Sequence, residues 1–159
     1  MRILYTLQSP LISNLLKDLI IQSPKNWRWF VRCHPMWLDD MHTIIDEIEN
    51  LGSNVDVVAT TKILLPELLQ MIDVHITGWS AVVYDAKYFG IRSIVCHPSA
   101  YELFENLIKN KDIVYIDNVD EIIDQIKYNL SSYKVKPENK IYPSFQKKSE
   151  FIMKNKERK

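Results

Sequence analysis

The stretch Val74–His97, VHITGWSAVVYDAKYFGIRSIVCH, constrains the fold more than any other part of the chain. Val74-His75-Ile76-Thr77 is a short β-rich run, and Gly78-Trp79-Ser80 breaks it. Ala81 to Phe89 has helical spacing, with Val82, Val83, Ala86 and Phe89 on one face. Gly90 stands where a helix end wants a residue free to take positive φ. Ile91 to Cys96 reads as the next strand. A strand, a helix and a strand joined this tightly form a parallel βαβ unit with a right-handed connection.

The same alternation runs through the rest. Strands are expected at Arg2–Leu7, Trp27–Cys33, Val55–Ala59 and Ile113–Ile116. Helices are expected at Leu11–Ile21, Leu38–Leu51, Leu64–Ile72 (with Pro66 in its first turn), Tyr101–Lys109 and Val119–Leu130. Asp117 or Asn118 is the expected N-cap of the last of these. A final helix is expected over Pro143–Lys156, after a loop from Ser131 to Tyr142. About six strands alternating with helices predict an α/β fold, a Rossmann-like doubly wound parallel sheet of order 3-2-1-4-5-6. Residues 1–142 would form this domain and residues 143–159 a C-terminal helix and basic tail.

In that order the first and fourth strands are neighbours where the winding reverses, and ligands bind beyond their carboxyl ends. Two loops flank this crevice: Gln8-Ser9-Pro10 and Gly78-Trp79-Ser80. No GxGxxG follows the first strand, which argues against an ordinary dinucleotide dehydrogenase.

Composition excludes several classes. The formal net charge is zero, which leaves no broad basic footprint for nucleic acid. The tail is the exception: Lys147, Lys148, Lys154, Lys156, Arg158 and Lys159 read first as a solvated helix face and second as a peripheral membrane contact. Two cysteines, Cys33 and Cys96, make no disulfide framework and fit a reducing, cytoplasmic compartment. The pairs Cys33-His34 and Cys96-His97 invite a zinc reading, which geometry opposes. Adjacent strand residues point to opposite faces, and the second and fifth strands would lie three spacings apart, roughly 14 Å. No metal is expected, and His97-Pro98 reads instead as a rim element near the ligand.

Several residues carry candidate chemistry. His34, at the end of the second strand, can donate to a phosphate or ribose oxygen, or simply cap its loop. Arg32 would bind phosphate if it turned to the same rim, and Pro35 fixes the loop exit. Ser80 is a phosphate ligand or a plain N-cap, with Thr77 and Gly78 beside it; Trp79 stacks on a ligand or packs on the rim. Asp85 faces ribose hydroxyls or solvent. Thr60 and Thr61, expected to end the third strand, read a base edge or line a polar loop. No nucleophile elbow, metal-ligand helix or P-loop is present.

With these pieces placed, the chain resembles the C-terminal, donor-binding half of GT-B-fold glycosyltransferases, nearest the bacterial capsule, teichoic-acid and polysialic-acid group. Arg32-Cys33-His34-Pro35 is similar to that group's R-x-H-P. The run from Thr77 to Asp85 is similar to the T-D-Y-S-S-x-x-x-D stretch of CDP-glycerol glycerophosphotransferases, with Gly78 for the acid and Ala81 for the second serine. Ala86 to Ile91 is similar to the A-x-x-x-G-[IKV] run of GT-B donor domains. The resemblance covers Arg2 to about Leu130. It implies binding of a nucleotide-sugar or CDP-polyol donor as substrate, with no further cofactor, in surface polysaccharide synthesis. His34 and Ser80 would hold phosphates, Asp85 ribose, Thr60 and Thr61 the base side. The catalytic base would lie on an acceptor domain, in another chain or a missing segment. The alternatives are a CDP-glycerol-type polyol-phosphate transferase, a non-catalytic nucleotide- or partner-binding module, and half of a nucleotide-sugar epimerase.

Overall fold

The computed structural model describes residues 1–129, apart from Asp40 and Ser53. The expected helix over Pro143–Lys156 and the basic tail lie outside the described residues. Among the described residues one parallel sheet forms from β1 (Arg2–Thr6), β2 (Arg28–Arg32), β3 (Val55–Asp56), β4 (Val74–Thr77), β5 (Ser93–Val95) and β6 (Ile113–Tyr115). The connections contain α1 (Asn14–Gln22), α2 (Met41–Ile48), α3 (Val58–Lys62), α4 (Leu65–Leu69), α5 (Val82–Tyr88), α6 (Ser99–Leu103), α7 (Glu105–Lys109) and α8 (Val119–Asp124). The strand order is β3-β2-β1-β4-β5-β6, the order expected, and the fold is a Rossmann-like doubly wound α/β sheet. Ile3 pairs with Val74 and Thr6 with Thr77, so the two central strands end level.

Strands covered on both faces bury both sets of alternating side chains. On one face Ile3, Tyr5, Trp29, Val31, Val74 and Ile76 pack with Leu16 and Leu19 of α1, Ile44 of α2 and Ile122 of α8. On the other, Leu4 and Phe30 pack with Leu68 and Leu69 of α4 and Ala86 of α5. Further along that face Val95 and Ile113 meet Val83, Ala100 and Phe104.

Gly90 takes φ 69°, in the left-handed region. Its N–H reaches the Lys87 carbonyl at 2.9 Å and the Ile91 N–H reaches Ala86 at 2.8 Å. These two bonds form a Schellman motif that ends α5 and aims the chain into β5. Asn118 is the N-cap of α8, its Oδ1 accepting the Glu121 N–H at 3.1 Å.

Five expectations are corrected. The third strand is two residues long, because Asp56 Oδ1 accepts both the Thr60 N–H (3.0 Å) and the Thr60 hydroxyl (3.2 Å) and turns the chain into α3. Thr60 and Thr61 therefore belong to a helix, not to a strand end. The first helix starts at Asn14 rather than Leu11, because Ser13 caps it by accepting the Leu16 N–H. The helix expected over Tyr101–Lys109 is two helices, α6 and α7, with the buried Phe104 between them at φ −123°. The helix expected over Leu38–Leu51 is α2 flanked by 3₁₀ turns at Pro35–Trp37 and Glu49–Leu51.

Candidate functional site

Where the winding reverses, the loops after β1 and β4 part and leave a cleft of about 430 Å³. The β1 side supplies Tyr5, Thr6, Gln8, Ser9 and the segment Leu11–Ser13. The β4 side supplies Gly78 and Trp79, and the end of β5 adds Cys96 and His97. With Ser13 as the cap of α1, residues 9–12 stay out of the helix, and Ser9, Leu11 and Ile12 line the opening. Leu11 is 84% exposed there.

The polar groups deep in the cleft are neutral. Tyr5 is buried and its hydroxyl lies 3.8 Å from Cys96 Sγ. Burial raises the phenol far above its usual range. Burial also pushes the Cys96 thiol up to about 11, and Cys96 Sγ donates to the Thr77 carbonyl at 3.3 Å. Neither ionises at neutral pH, so they offer a ligand hydrogen-bonding groups without charge.

The rim is aromatic. The Trp79 and His97 rings pack with centroids 4.3 Å apart at 54°. His97 Nδ1 accepts the Ser99 N–H at 3.2 Å. An accepting Nδ1 places the ring proton on Nε2.

Behind the cleft a buried network locks the two central strands. Thr77 Oγ1 donates to the Thr6 carbonyl at 2.9 Å and accepts the Ser80 N–H at 3.2 Å. His75, fully buried, lies between Thr6 Oγ1 and Ser93 Oγ, each 2.9 Å from a ring nitrogen. Desolvation lowers its pKa to about 3, so the ring is neutral.

Of the residues expected to bind a donor, Gln8, Gly78 and Trp79 line the cleft together. The rest are placed otherwise. Ser80 is 3% exposed and its hydroxyl accepts the Val82 N–H at 3.2 Å, in the turn that leads into α5. Thr77 is buried in the network just described. Asp85 is exposed on α5 and does not line the cleft, the solvated-face reading. Arg32 Nη1 donates to the carbonyls of Thr60 (2.8 Å) and Ile63 (2.6 Å) and so closes the C-terminal end of α3. Burial lowers its pKa. Thr60 is buried against Asp56, and the Thr61 hydroxyl accepts the Cys33 N–H at 3.1 Å. His34 caps the turn begun by Pro35, its Nδ1 accepting the Met36 N–H at 3.1 Å. That turn touches the cleft loop through Trp37, whose Nε1–H donates to the Gln8 carbonyl at 3.3 Å.

The residues that sequence reasoning missed are Tyr5, Ser13 and Cys96, whereas His97, expected with Pro98 as a rim element near the ligand, does line the cleft. A signal existed for Ser13, a serine followed by a helical pattern. For Tyr5 the signal was the strand alternation that sets it on the α1 face.

Among the described residues no group of three or more His, Cys, Asp or Glu is placed to hold a metal ion. Among the same residues no helix is long and apolar enough to cross a membrane. No protein-family model and no curated protein matches the chain.

Proposed function

We propose that this chain is the donor-nucleotide-binding half of a glycosyltransferase that moves a sugar from a nucleotide-activated donor in surface polysaccharide synthesis. The observation that carries the reading is the cleft at the β1/β4 switch point, walled by Trp79 and Gln8. Doubly wound sheets bind ligands in this crevice, and an indole face beside neutral hydrogen-bonding groups suits a base or sugar ring. The motif run from Arg32 to Pro35 and from Thr77 to Ile91 supports the class of donor. In this reading Trp79 packs on the ligand, Gln8 and His34 donate to it, and Thr77 and Ser80 shape the loop that receives it. The acceptor-binding half supplies the base that activates the acceptor hydroxyl. A CDP-polyol donor would use the same cleft.

A second reading, a partner-binding module without catalysis, is favoured by one observation. Leu11, Met36, Leu38 and Leu64 are exposed in the loops after β1, β2 and α3, an apolar set of the kind that marks an interaction surface.

The test is calorimetric titration of the full chain with CMP, CDP, UDP and GDP. One nucleotide is expected to bind in preference, and Trp79→Ala is expected to weaken it about tenfold or more, the loss of one stacked ring. Absence of binding by the folded chain, or binding indifferent to Trp79→Ala, would overturn the donor-site reading and favour the second.

A further inference from the structure

Two histidines on the carboxyl-end rim of the sheet share the same local construction. His34 follows β2 and His97 follows the end of β5; each precedes a proline. Each Nδ1 accepts the N–H two residues on, at 3.1 Å in His34 and 3.2 Å in His97. The turn therefore fixes each ring in the Nε2–H form and engages its other nitrogen. Among the described residues neither Nε2 takes part in a hydrogen bond. In the order β2-β1-β4-β5 the strands that lead into these two turns flank the β1/β4 pair, three strand spacings apart, roughly 14 Å. His97 lines the cleft directly, and the His34 turn is tied to it through Trp37 and Gln8.

We propose that His97 is a second ligand-binding residue, which with His34 spans one elongated ligand, each Nε2–H donating to a different end of it. This rests on the nucleotide-donor reading above and deepens it. An activated donor, extended beyond its phosphates by a further polar group, is long enough to reach both turns, whereas the shorter bare nucleotide reaches one. The twin turns thus select the activated donor over its nucleotide product. Trp79 packs against the His97 ring and holds the donor at the cleft edge.

Asparagine separates the binding role from the capping role. Its side-chain oxygen accepts the N–H two residues on, as Nδ1 does, but places no donor where Nε2–H lies. The full chain, its His97→Asn, His34→Asn and double variants are titrated with CDP, CDP-glycerol, UDP and UDP-N-acetylglucosamine, and their thermal midpoints are compared. Unchanged midpoints show that the turns persist. Each single variant is expected to bind the preferred activated donor about tenfold more weakly, the worth of one hydrogen bond. The double variant is expected to lose about a hundredfold, and the bare nucleotide to respond to one of the two changes only. Donor affinity indifferent to His97→Asn overturns this inference while leaving the donor site in place. Equal loss of bare nucleotide in both single variants overturns the spanning arrangement. If His97→Asn lowers the midpoint, His97→Gln decides: Gln extends an N–H towards the Nε2 position, and failure to restore donor affinity overturns the role. No binding by the parent chain to any of the four overturns the donor reading and this inference with it.

Discussion

At the residue scale, what decides a polar side chain's role is which backbone group claims it first. His75 is the sharpest case. Its ring is dehydrated and held between two hydroxyls, with a pKa of about 3. An unfolded histidine titrates near 6.5. The folded pKa lies below the unfolded one, so the unfolded chain binds the extra proton. This contribution to stability is complete above pH 6.5 and drains away as pH falls toward 3, at about 1.4 kcal/mol per pH unit. Urea unfolding at pH 7, 6, 5 and 4 should show that slope, and His75→Gln, which keeps an amide between the hydroxyls but cannot titrate there, should flatten it. Arg32 makes the contrasting case. Its guanidinium holds two carbonyls at the end of α3. Arg32→Gln should cost about 1.5–3 kcal/mol, the worth of charge-assisted hydrogen bonds, in a urea titration. Nucleotide affinity should be unchanged, whereas an arginine acting as a phosphate ligand would lose affinity and little stability.

At the scale of the elements, ends matter more than middles. Gly90 lies at φ 69°, where a Cβ is crowded against the following carbonyl. Gly90→Ala should destabilise the chain by about 1–2 kcal/mol, read from thermal or urea unfolding. Ser13→Ala should cost about 1 kcal/mol and should also weaken any ligand of the cleft, because that cap holds the loop over it open. The stretch Val74–Gly90 was legible because its turn, its helical face and its glycine all point to one answer. Strand order followed from the alternation of elements. What the pattern did not carry is competition for hydrogen bonds. Val55–Ala59 looks like a strand by composition, yet the Asp56 carboxylate takes Thr60 and winds a helix. Likewise Ser80 and Thr77 have the right chemistry for phosphate, but their hydroxyls are already engaged by Val82, Ser80 and Thr6. The crevice could be foreseen, and Gln8 and Trp79 with it, since topology alone sets where it lies. Tyr5 and Cys96 could not be foreseen as a pair, because 91 residues separate them in the chain.

At the scale of the whole molecule, β1 and β4 form the middle of the sheet and β3 and β6 its edges. Amide hydrogen exchange should be slowest at Leu4 and Ile76 and fastest in the two-residue β3. A bound activated donor should slow exchange at Gln8, Trp79 and His97 together while leaving α7 unchanged; protection of only one loop would place the ligand elsewhere. The central pair also joins two stretches of chain that are far apart in sequence: β1–β2–β3 come first, β4–β5–β6 later. Their seam is closed by backbone pairing and by Arg2, which grips the Asp73 carboxylate with both its main-chain N–H (2.8 Å) and its guanidinium (2.6 Å) across 71 residues. Closing so long a loop is the slow, entropically costly step of folding, and until it happens there is no cleft. A nucleotide that touches both banks of the seam therefore recognises only chains that have finished assembling. It should slow the halves' separation, and draw together two fragments of a chain cut just before Asp73.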